Sequence, residues 1–229
     1  MTSHQHRHGM GHGLGEEQML EHTVGAYPVR FGSAFWDLFR QNVIRHLPKE
    51  PVVVDLACGA GLLLRDVGRR LPEARLHGYD VSKVMLEHAR GLDWGHRQPI
   101  LQCLDLAKEA VPLETASVDL ITLTVALHHF DNPSALLKEV RRLLHPLGVF
   151  VLCEWERTSF EDYLARWNKQ PSEMSEEDWV GAFQHYGMIC RFSTGDWRYL
   201  LSVVGLKTVA TADLGNSLCA LVAWPLASS

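Results

Sequence analysis

The sequence lacks the features that would place it in several broad classes of protein. No stretch approaches the roughly 20 consecutive apolar residues that a membrane-spanning helix needs, so no membrane partner is expected. The N-terminus lacks a charged start followed by an apolar block and a cleavage site, which argues against a secretory signal. A basic excess is also missing, because the formal net charge is −5, whereas nucleic-acid-binding surfaces are usually basic. We therefore expect a cytoplasmic protein with no nucleic-acid partner.

Cysteine is scarce and irregularly spaced. The cysteines are odd in number and mostly lie inside apolar runs: Cys58, Cys103, Cys153, Cys190 and Cys219. A disulfide framework would need an even number at ordered spacings, so we interpret these residues as reduced core side chains. At 229 residues the chain supports one domain with an inserted lobe.

Residues 1–20 are predicted to form a disordered tail, because the segment has few apolar side chains to bury. Histidines alternate with other residues in this tail: His4, His6, His8 and His12. Such a tract can bind nickel, copper or zinc. A flexible tail with adventitious metal affinity is the simpler interpretation, and no metal is expected in the folded domain over 21–229.

The most informative stretch runs from Val52 to Gly61. Three β-branched residues precede Asp55, which is typical of a parallel strand covered on both faces. Gly59 and Gly61 allow the backbone to turn sharply and to approach a ligand closely. The helix that follows points its N-terminal N–H groups at whatever lies over the glycines.

Strands and helices then alternate along the chain. The strands are predicted at 52–56, 75–79, 99–104, 118–125 and 149–154, and the helices at 33–46, 61–71, 83–91 and 133–144. Five βα units in succession specify a parallel sheet with helices on both faces. A helix at 195–204 and strands near 207–212 and 217–224 complete a mostly parallel, seven-stranded sheet.

Residues 157–196 interrupt this regularity. They contain many aromatic residues but no strand pattern, and they are too numerous for a plain connection. We predict an inserted helical lid. Its aromatic side chains either cover a substrate pocket or form a small core of their own, and aromatic residues serve both roles.

An acidic residue follows each of the first three predicted strands: Asp55, Asp80 and Asp105. At the end of the second strand a carboxylate can accept both hydroxyls of a ribose, and Asp105 can accept an exocyclic amine. The nicotinamide fingerprint requires a further glycine where this chain has Leu64, so a nicotinamide dinucleotide is disfavoured.

With these residues the chain resembles the class I S-adenosylmethionine-dependent methyltransferases over residues 30–224. The run 54–61 is similar to the family's first motif, with Ala57 where glycine is most common, and 78–82 is similar to the ribose motif. Further similar segments are 104–105, 127–130, 137–144 and 146–148. The resemblance implies an α/β, Rossmann-like doubly wound sheet that binds S-adenosyl-L-methionine.

The resemblance also implies a role for each motif residue. Asp55 binds the ammonium of the cofactor directly or through water, and backbone N–H groups around Gly59 and Gly61 meet its carboxylate. Asp80 takes the ribose diol and Asp105 the adenine amine, although an ordinary loop aspartate is the alternative for Asp105. The other expected cofactor-binding residues are Ala57, Val81, Met85, Leu106 and Thr124.

Three residues at the ends of the fourth and fifth strands are the catalytic candidates: His128, His129 and Glu154. Adjacent side chains on extended backbone face opposite ways, so one histidine can face the cleft as a general base while the other packs. Related natural-product methyltransferases have a similar arrangement near the acceptor. The alternatives are a structural hydrogen bond for each histidine and a salt bridge for Glu154.

Two further pairs of residues are candidates for a role around the site. Tyr27 and Arg30 precede the first predicted helix, in a segment that either closes over the cofactor or docks the N-terminal arm. His185 and Tyr186, in the predicted lid, are additional candidates for the acceptor site.

We expect an enzyme that transfers a methyl group from S-adenosylmethionine to a small-molecule acceptor of secondary metabolism. One alternative is a methyltransferase-fold protein that binds the cofactor but catalyses a cyclisation or a decarboxylation. A pure binding module is the other, and the three intact aspartates disfavour it. The sequence leaves the acceptor and the oligomeric state open, a homodimer included.

Overall fold

Seven strands pair into one sheet in the order β3-β2-β1-β4-β5-β7-β6. The computed structural model describes residues 15–226. The strands are β1 (Val52–Leu56), β2 (Arg75–Asp80), β3 (Ile100–Cys103), β4 (Val118–Thr124), β5 (Leu144–Trp155), β6 (Leu206–Asp213) and β7 (Leu218–Pro225). The first five strands are parallel, and β7 is antiparallel to both of its neighbours. The predicted seven-stranded, mostly parallel, doubly wound sheet is therefore confirmed.

Helices cover both faces of this sheet. They are α1 (Glu16–Arg30), α2 (Ser33–Asn42), α3 (Leu62–Arg70), α4 (Lys83–Arg90), α5 (Pro133–Leu143), α6 (Phe160–Arg166), α7 (Glu176–Ile189) and α8 (Thr194–Val203). Buried side chains of α5 and α8 belong to one hydrophobic core, and those of α2 and α3 belong to the other. Each core stabilises the fold by removing apolar surface from water.

The turn between β1 and α3 requires glycine at Gly61. Its φ is +76°, in the left-handed region that glycine adopts without strain. A Cβ at this position would lie 2.7 Å from the Cβ of Ala89 on α4. The absence of a side chain at Gly61 therefore brings α3 and α4 together below the turn.

The N-terminal part of the chain differs from the prediction. Helix α1 begins at Glu16, so residues 16–20 are helical and their assignment to a disordered tail is wrong. No residue of α1 is fully buried and Pro28 lies inside it, which is why the apolar pattern gave no helical signal. The histidines at positions 4 to 12 lie outside the described residues.

Smaller differences concern element boundaries. Strand β5 begins at Leu144, five residues earlier than predicted, because Leu144 pairs with Val118 across a register shift. The predicted helix 33–46 ends at Asn42 and continues as a 3-10 turn over Ile44–His46. Helices α6 and α7 account for most of the inserted segment, and α8 begins at Thr194.

Residues 15–226 contain neither a membrane-spanning helix nor a cluster of potential metal ligands. Across residues 15–226, none of the helices combines the length and the apolar character required to cross a membrane. Over the same range, no three histidine, cysteine, aspartate or glutamate side chains come together as potential metal ligands.

Candidate active site

A cavity of about 420 Å³ lies where the parallel strands end. Ligands of open parallel sheets bind at the carboxyl ends of the strands. The wall of the cavity contains Asp55 from β1, Asp80 from β2 and Asp105 after β3. The acidic residues selected from the sequence therefore share one cavity.

Helix α1 forms the roof of this cavity. It contributes Glu16, Met19, Thr23, Tyr27 and Arg30 to the wall. The methyl group of Thr23 lies 3.9 Å from where a Cβ on Gly59 would be, so α1 crosses directly over the glycine turn. The Tyr27 hydroxyl donates a hydrogen bond of 2.8 Å to Oδ2 of Asp66 on α3, which attaches the helix to the body of the protein.

Asp80 braces the glycine turn from below. Its Oδ2 accepts the N–H of Gly59 at 2.7 Å, and its Oδ1 accepts the N–H of Ser82 at 2.8 Å. Burial raises the pKa of Asp80, and these backbone hydrogen bonds oppose that rise. Each carboxylate oxygen keeps a further lone pair, so Asp80 can also accept hydrogen bonds from a ligand in the cavity.

The two glycines do not offer their N–H groups to a ligand as predicted. The N–H of Gly59 is used by Asp80, and the N–H of Gly61 donates to the carbonyl oxygen of Cys58 at 3.0 Å. Gly59 lines the cavity, whereas Gly61 is not among its lining residues. These two N–H groups are used within the protein, and contact between a cofactor carboxylate and other backbone N–H groups around Gly59 and Gly61 stays a prediction.

Asp55 is almost completely buried in the floor of the cavity. The Thr122 hydroxyl donates a hydrogen bond of 2.6 Å to its Oδ1. Burial raises the pKa of Asp55 to about 7, helped by the nearby charge of Asp80 and opposed by the Thr122 hydrogen bond. A cation bound against Asp55 would therefore favour loss of its proton.

Asp105 lies in the cavity wall rather than on an open surface loop. Its carboxylate accepts the N–H of Ala107 at 3.0 Å and the ammonium of Lys108 at 2.7 Å. Val81, Met85 and Leu106, which the sequence suggests as the apolar contacts of a ring, line the same cavity. Ala57 and Thr124 line it as well.

The adjacent histidines have different surroundings. His128 is buried and does not line the cavity, whereas His129 does. The Nδ1 atom of His128 lies 2.7 Å from Oε1 of Glu154. Glu154 is fully buried and also accepts the N–H groups of His128 and Trp155. Two backbone N–H groups already donate to this carboxylate, and an ionised carboxylate can only accept, so the contact with His128 is a hydrogen bond in the tautomer whose proton is on Nδ1.

His129 is the member of the pair that lines the cavity. Its ring centroid lies 4.0 Å from that of His128. Burial lowers the pKa of His129 to about 3, and the neighbouring His128 and His185 add to this effect. His129 is therefore neutral near pH 7, and its low pKa makes it a weak base.

The inserted segment contacts the cavity at one point and has a core of its own. Met188 on α7 lines the cavity. The Tyr163 hydroxyl lies 2.8 Å from Nδ1 of His185, and the rings of Phe160 and Phe183 stack with centroids 4.4 Å apart. The lid and the internal-core interpretations therefore describe different residues of the same segment.

Several cavity residues were not predicted. Glu16, Met19, Thr23 and Met188 line the cavity, yet none belongs to a recognisable motif. The sequence places Tyr27 and Arg30 before the first predicted helix, whereas in the structure both belong to α1. Since α1 lacks an apolar stripe, no periodic signal was available to place these side chains over the strand ends.

Comparison with known families agrees with this geometry. The family described as "Methyltransferase domain" matches residues 54–152, from β1 into β5. The matched region contains Asp55, Asp80 and Asp105. Over these residues the chain therefore matches a methyltransferase domain. The resemblance stated from the sequence is therefore confirmed, and the cavity lies at the strand ends of this methyltransferase domain.

A curated relative of the methyltransferase domain is the malonyl-[acyl-carrier protein] O-methyltransferase of Hahella chejuensis. It is 34% identical over 97 residues, which cover 42% of this chain and 33% of the relative. The chain spans between about a third and two fifths of the length of the first curated relatives it matches.

Solved structures of low identity share the fold. The plantazolicin methyltransferase BpumL, in complex with a substrate analog and SAH, has a TM-score of 0.66 at 16% identity. The alignment covers 92% of this chain and 90% of that one. The [4+2]-cyclase SpnF has a TM-score of 0.62 at 15% identity, over 84% and 80% of the two chains. At these identities the likeness shows the methyltransferase fold alone.

Proposed function

We propose that this protein is an S-adenosylmethionine-dependent methyltransferase that acts on a small-molecule acceptor. The observation that carries the proposal is the meeting of Asp55, Asp80 and Asp105 in one cavity at the strand ends of a methyltransferase domain. The cofactor is a cation with a ribose and an adenine, and these three carboxylates are acceptors suited to its ammonium, diol and amine.

Several observations that do not depend on the family match support a cofactor site at these residues. Asp55 is a buried carboxyl whose pKa of about 7 leaves it poised to ionise beside a cation. Asp80 is fixed by two backbone N–H groups and retains acceptor capacity toward the cavity. Val81, Met85 and Leu106 supply apolar surface for a ring. When bound there, S-adenosylmethionine supplies an electrophilic methyl group on sulfur.

The protein's main contribution to such a reaction is to hold two reactants together. Correct positioning is worth up to about 7–11 kcal/mol of the barrier in favourable systems. His129 faces the cavity and is neutral, so it can take the proton from a hydroxyl or ammonium nucleophile. Because its pKa of about 3 is well below the neutral range in which a general base works best, its contribution lies at the lower end of the roughly 10²–10⁴-fold in rate that such bases give.

His128 and Glu154 are positioning residues in this proposal. Neither lines the cavity, and their hydrogen bond fixes the 3-10 turn Leu127–His129 that carries His129. The backbone N–H of His128 also donates to Glu154 at 3.2 Å. The carboxylate therefore holds both the backbone and the ring of His128, and through them the neighbouring His129.

The acceptor is proposed to be a compact, partly apolar metabolite of the secondary-metabolite type. Phe31, Phe130 and Met188 give the cavity an apolar part beyond the three aspartates. The volume of about 420 Å³ is within the range of small-molecule sites.

A cofactor-dependent reaction without methyl transfer is the second candidate. It is favoured by one observation, the likeness of the fold to the [4+2]-cyclase SpnF. The two candidates share the cofactor site and differ in whether the methyl group leaves the cofactor.

Two measurements test these proposals in sequence. Isothermal titration of the full chain with S-adenosylhomocysteine should show one site, and absence of binding would overturn both candidates. Incubation with S-adenosylmethionine and metabolite fractions should then release S-adenosylhomocysteine, with a methylated product identified by mass spectrometry. A converted substrate without this release would instead favour the second candidate.

A further inference from the structure

Met188 brings the inserted segment to the wall of the cavity. Of the residues described between positions 157 and 196, it alone lines the cavity. Met188 lies in the last turn of α7, and the two residues directly after it, Ile189 and Cys190, are buried in one of the two hydrophobic cores. Core packing therefore fixes the position of Met188, although an earlier turn of the same helix exposes Phe183 to solvent.

Two hydrogen bonds also hold this end of α7. The Tyr186 hydroxyl donates a hydrogen bond of 2.7 Å to the carbonyl oxygen of Thr158. The Tyr163 hydroxyl, on α6, lies 2.8 Å from Nδ1 of His185. Both contacts join α7 to α6 or to the residues that lead into it. A wall built on a helix fixed in this way is better placed to select among ligands by size than a wall built on a loop.

Helix α7 packs against the turn that carries His129. It contacts the 3-10 turn Leu127–His129 directly. Burial and then the charges of His128 and His185 lower the pKa of His129, so His185 lies near His129. Side chains three residues apart share one face of a helix, and Met188 is three residues after His185. Met188 therefore borders the part of the cavity that contains the proposed base.

The order of the strands separates this part of the cavity from the adenosine of the cofactor. Asp105 follows β3, Asp80 ends β2 and Asp55 lies near the end of β1, and these strands are consecutive in the sheet. The next strand, β4, leads into the turn that carries His129. Neighbouring strands lie about 4.8 Å apart, so about 14 Å separates β4 from β3. An adenosine held by Asp105 and Asp80 therefore leaves the β4 side of the cavity to other groups.

The side chains on the β4 side favour an apolar ligand group. The thioether of methionine is unbranched and polarizable, so Met188 can adapt to aliphatic and aromatic surfaces. Phe130, directly after His129, lines the same cavity and adds an aromatic ring. Burial of apolar surface there would raise affinity about fourfold for each methylene group.

We propose that Met188 is a specificity-determining residue, which contacts an apolar group of the acceptor and limits the length of that group. This inference rests on the proposed function and adds a class of acceptor to it. The acceptor carries its nucleophile near His129 and an apolar group that extends toward α7. The inserted segment then selects the acceptor through one side chain, and the rest of the segment holds that side chain in place.

The first experiment locates the acceptor by nuclear magnetic resonance. The full chain contains six methionines, so labelling their methyl groups with carbon-13 gives few signals, which leucine substitutions assign. Met85 and Met188 line the cavity, whereas Met174 does not. We expect S-adenosylhomocysteine to shift the signal of Met85. Addition of 4-butylphenol to this complex should then shift the signal of Met188 and leave those of Met85 and Met174 unchanged.

The second experiment measures the length limit. Phenols with 4-alkyl chains of increasing length are titrated by calorimetry into the full chain saturated with S-adenosylhomocysteine. We expect the affinity to rise about fourfold per methylene group up to one length and then to fall. M188A shortens the side chain, so the best length should increase by roughly two or three carbons, whereas M188L should keep the wild-type length. M174A, in the same segment but outside the cavity, is the matched control and should also keep it.

The remaining outcomes also decide the question. If no phenol of the series shifts the Met188 signal, or if M188A keeps the wild-type length limit, the inference is wrong. A tenfold loss of affinity for S-adenosylhomocysteine in M188A, without a loss for 5′-methylthioadenosine, would assign Met188 to the amino acid part of the cofactor and overturn the inference as well. Failure of the wild type to bind S-adenosylhomocysteine would instead overturn the proposed function itself, so the two failures are distinguishable.

Discussion

His128 and Glu154 are joined by a hydrogen bond of 2.7 Å between side chains that are 1% and 0% exposed. The bond secures the turn that presents His129 to the cavity. The two histidines therefore differ, since the ring of His128 is a buried hydrogen-bond partner of Glu154 and His129 lines the cavity.

This division predicts unequal effects of substitution at the two histidines. H129Q should lower turnover tenfold or more and leave the affinity for S-adenosylhomocysteine near that of wild type, because the proposed base is lost and the cofactor site is not. The measurement is steady-state kinetics with the acceptor identified from metabolite fractions, together with calorimetry. Equal and negligible losses for substitutions at both histidines would remove the base from the mechanism.

H128L should act mainly on stability. It removes a buried donor to a charged acceptor, which costs about 1.5–3 kcal/mol of unfolding free energy. H128N keeps an N–H near the position of Nδ1 and should recover part of that loss. Urea unfolding of the two variants checks the expectation, and an unchanged midpoint for H128L would show that Glu154 does not depend on this bond.

Substitution of Asp80 should weaken cofactor binding and also destabilise the folded protein. D80A is expected to weaken binding of S-adenosylhomocysteine at least tenfold, because a ribose would lose a bidentate acceptor. It should also lower the melting temperature, since the N–H groups of Gly59 and Ser82 lose their partner. D37N, an exposed aspartate on α2, is the control. Unchanged affinity in D80A would contradict the placement of the ribose.

Asp55 makes cofactor affinity depend on pH. With a pKa of about 7, the free protein holds a proton on Asp55 at pH 6 that must leave when the cofactor's ammonium binds. The affinity for S-adenosylhomocysteine should therefore rise about tenfold between pH 6 and pH 8. The affinity for 5′-methylthioadenosine, which has no ammonium, should stay constant. D55N should abolish the pH dependence, and its persistence in that variant would assign the effect to another group.

The raised pKa of Asp55 also affects the stability of the folded protein without ligand. Cofactor affinity should rise with pH, whereas this contribution to stability falls. The folded state binds this proton more tightly than the unfolded chain, whose carboxyl has the ordinary value of 3.8. The stabilisation of the folded state by this proton is therefore fully present below pH 3.8 and is lost as the pH rises through about 7. Saturating S-adenosylhomocysteine should reverse this loss near neutral pH.

Ala57 is strained where the family most often has glycine. Its φ of +53° lies in the left-handed region, which costs a residue with a Cβ about 1–2 kcal/mol. Glycine also gives the unfolded chain more conformational entropy, which offsets part of the relief of strain. A57G should therefore raise the free energy of unfolding by roughly 0.5–1 kcal/mol. Ala116 has a φ of +58° and does not line the cavity, so A116G is the matched control. Both should gain stability, and only A57G should change cofactor affinity.

The parallel part of the fold could be predicted because its signals are local and strong. The β-branched run before Asp55, the proline at the start of α5 and the alternating apolar segments each identify one element. The three aspartates follow from the same reading, because the carboxyl ends of parallel strands lie on one edge of a sheet.

The position of α1, the hydrogen bonding of the glycine turn and the different roles of the two histidines could not be predicted, because they depend on tertiary contacts that no local pattern encodes. Helix α1 has no buried face, so nothing marked it as the roof. The N–H of Gly59 is taken by Asp80, twenty-one residues away in sequence. The choice between His128 and His129 was set by a 3-10 turn in place of extended backbone and by Glu154 on a neighbouring strand.

Because α1 has no fully buried residue, the helix that forms the roof of the cavity contributes little to the hydrophobic cores on either face of the sheet. Both hydrophobic cores are built almost entirely from residues after position 30. We therefore expect substitutions along this helix to alter the wall of the cavity with a smaller loss of folding free energy than substitutions within the sheet.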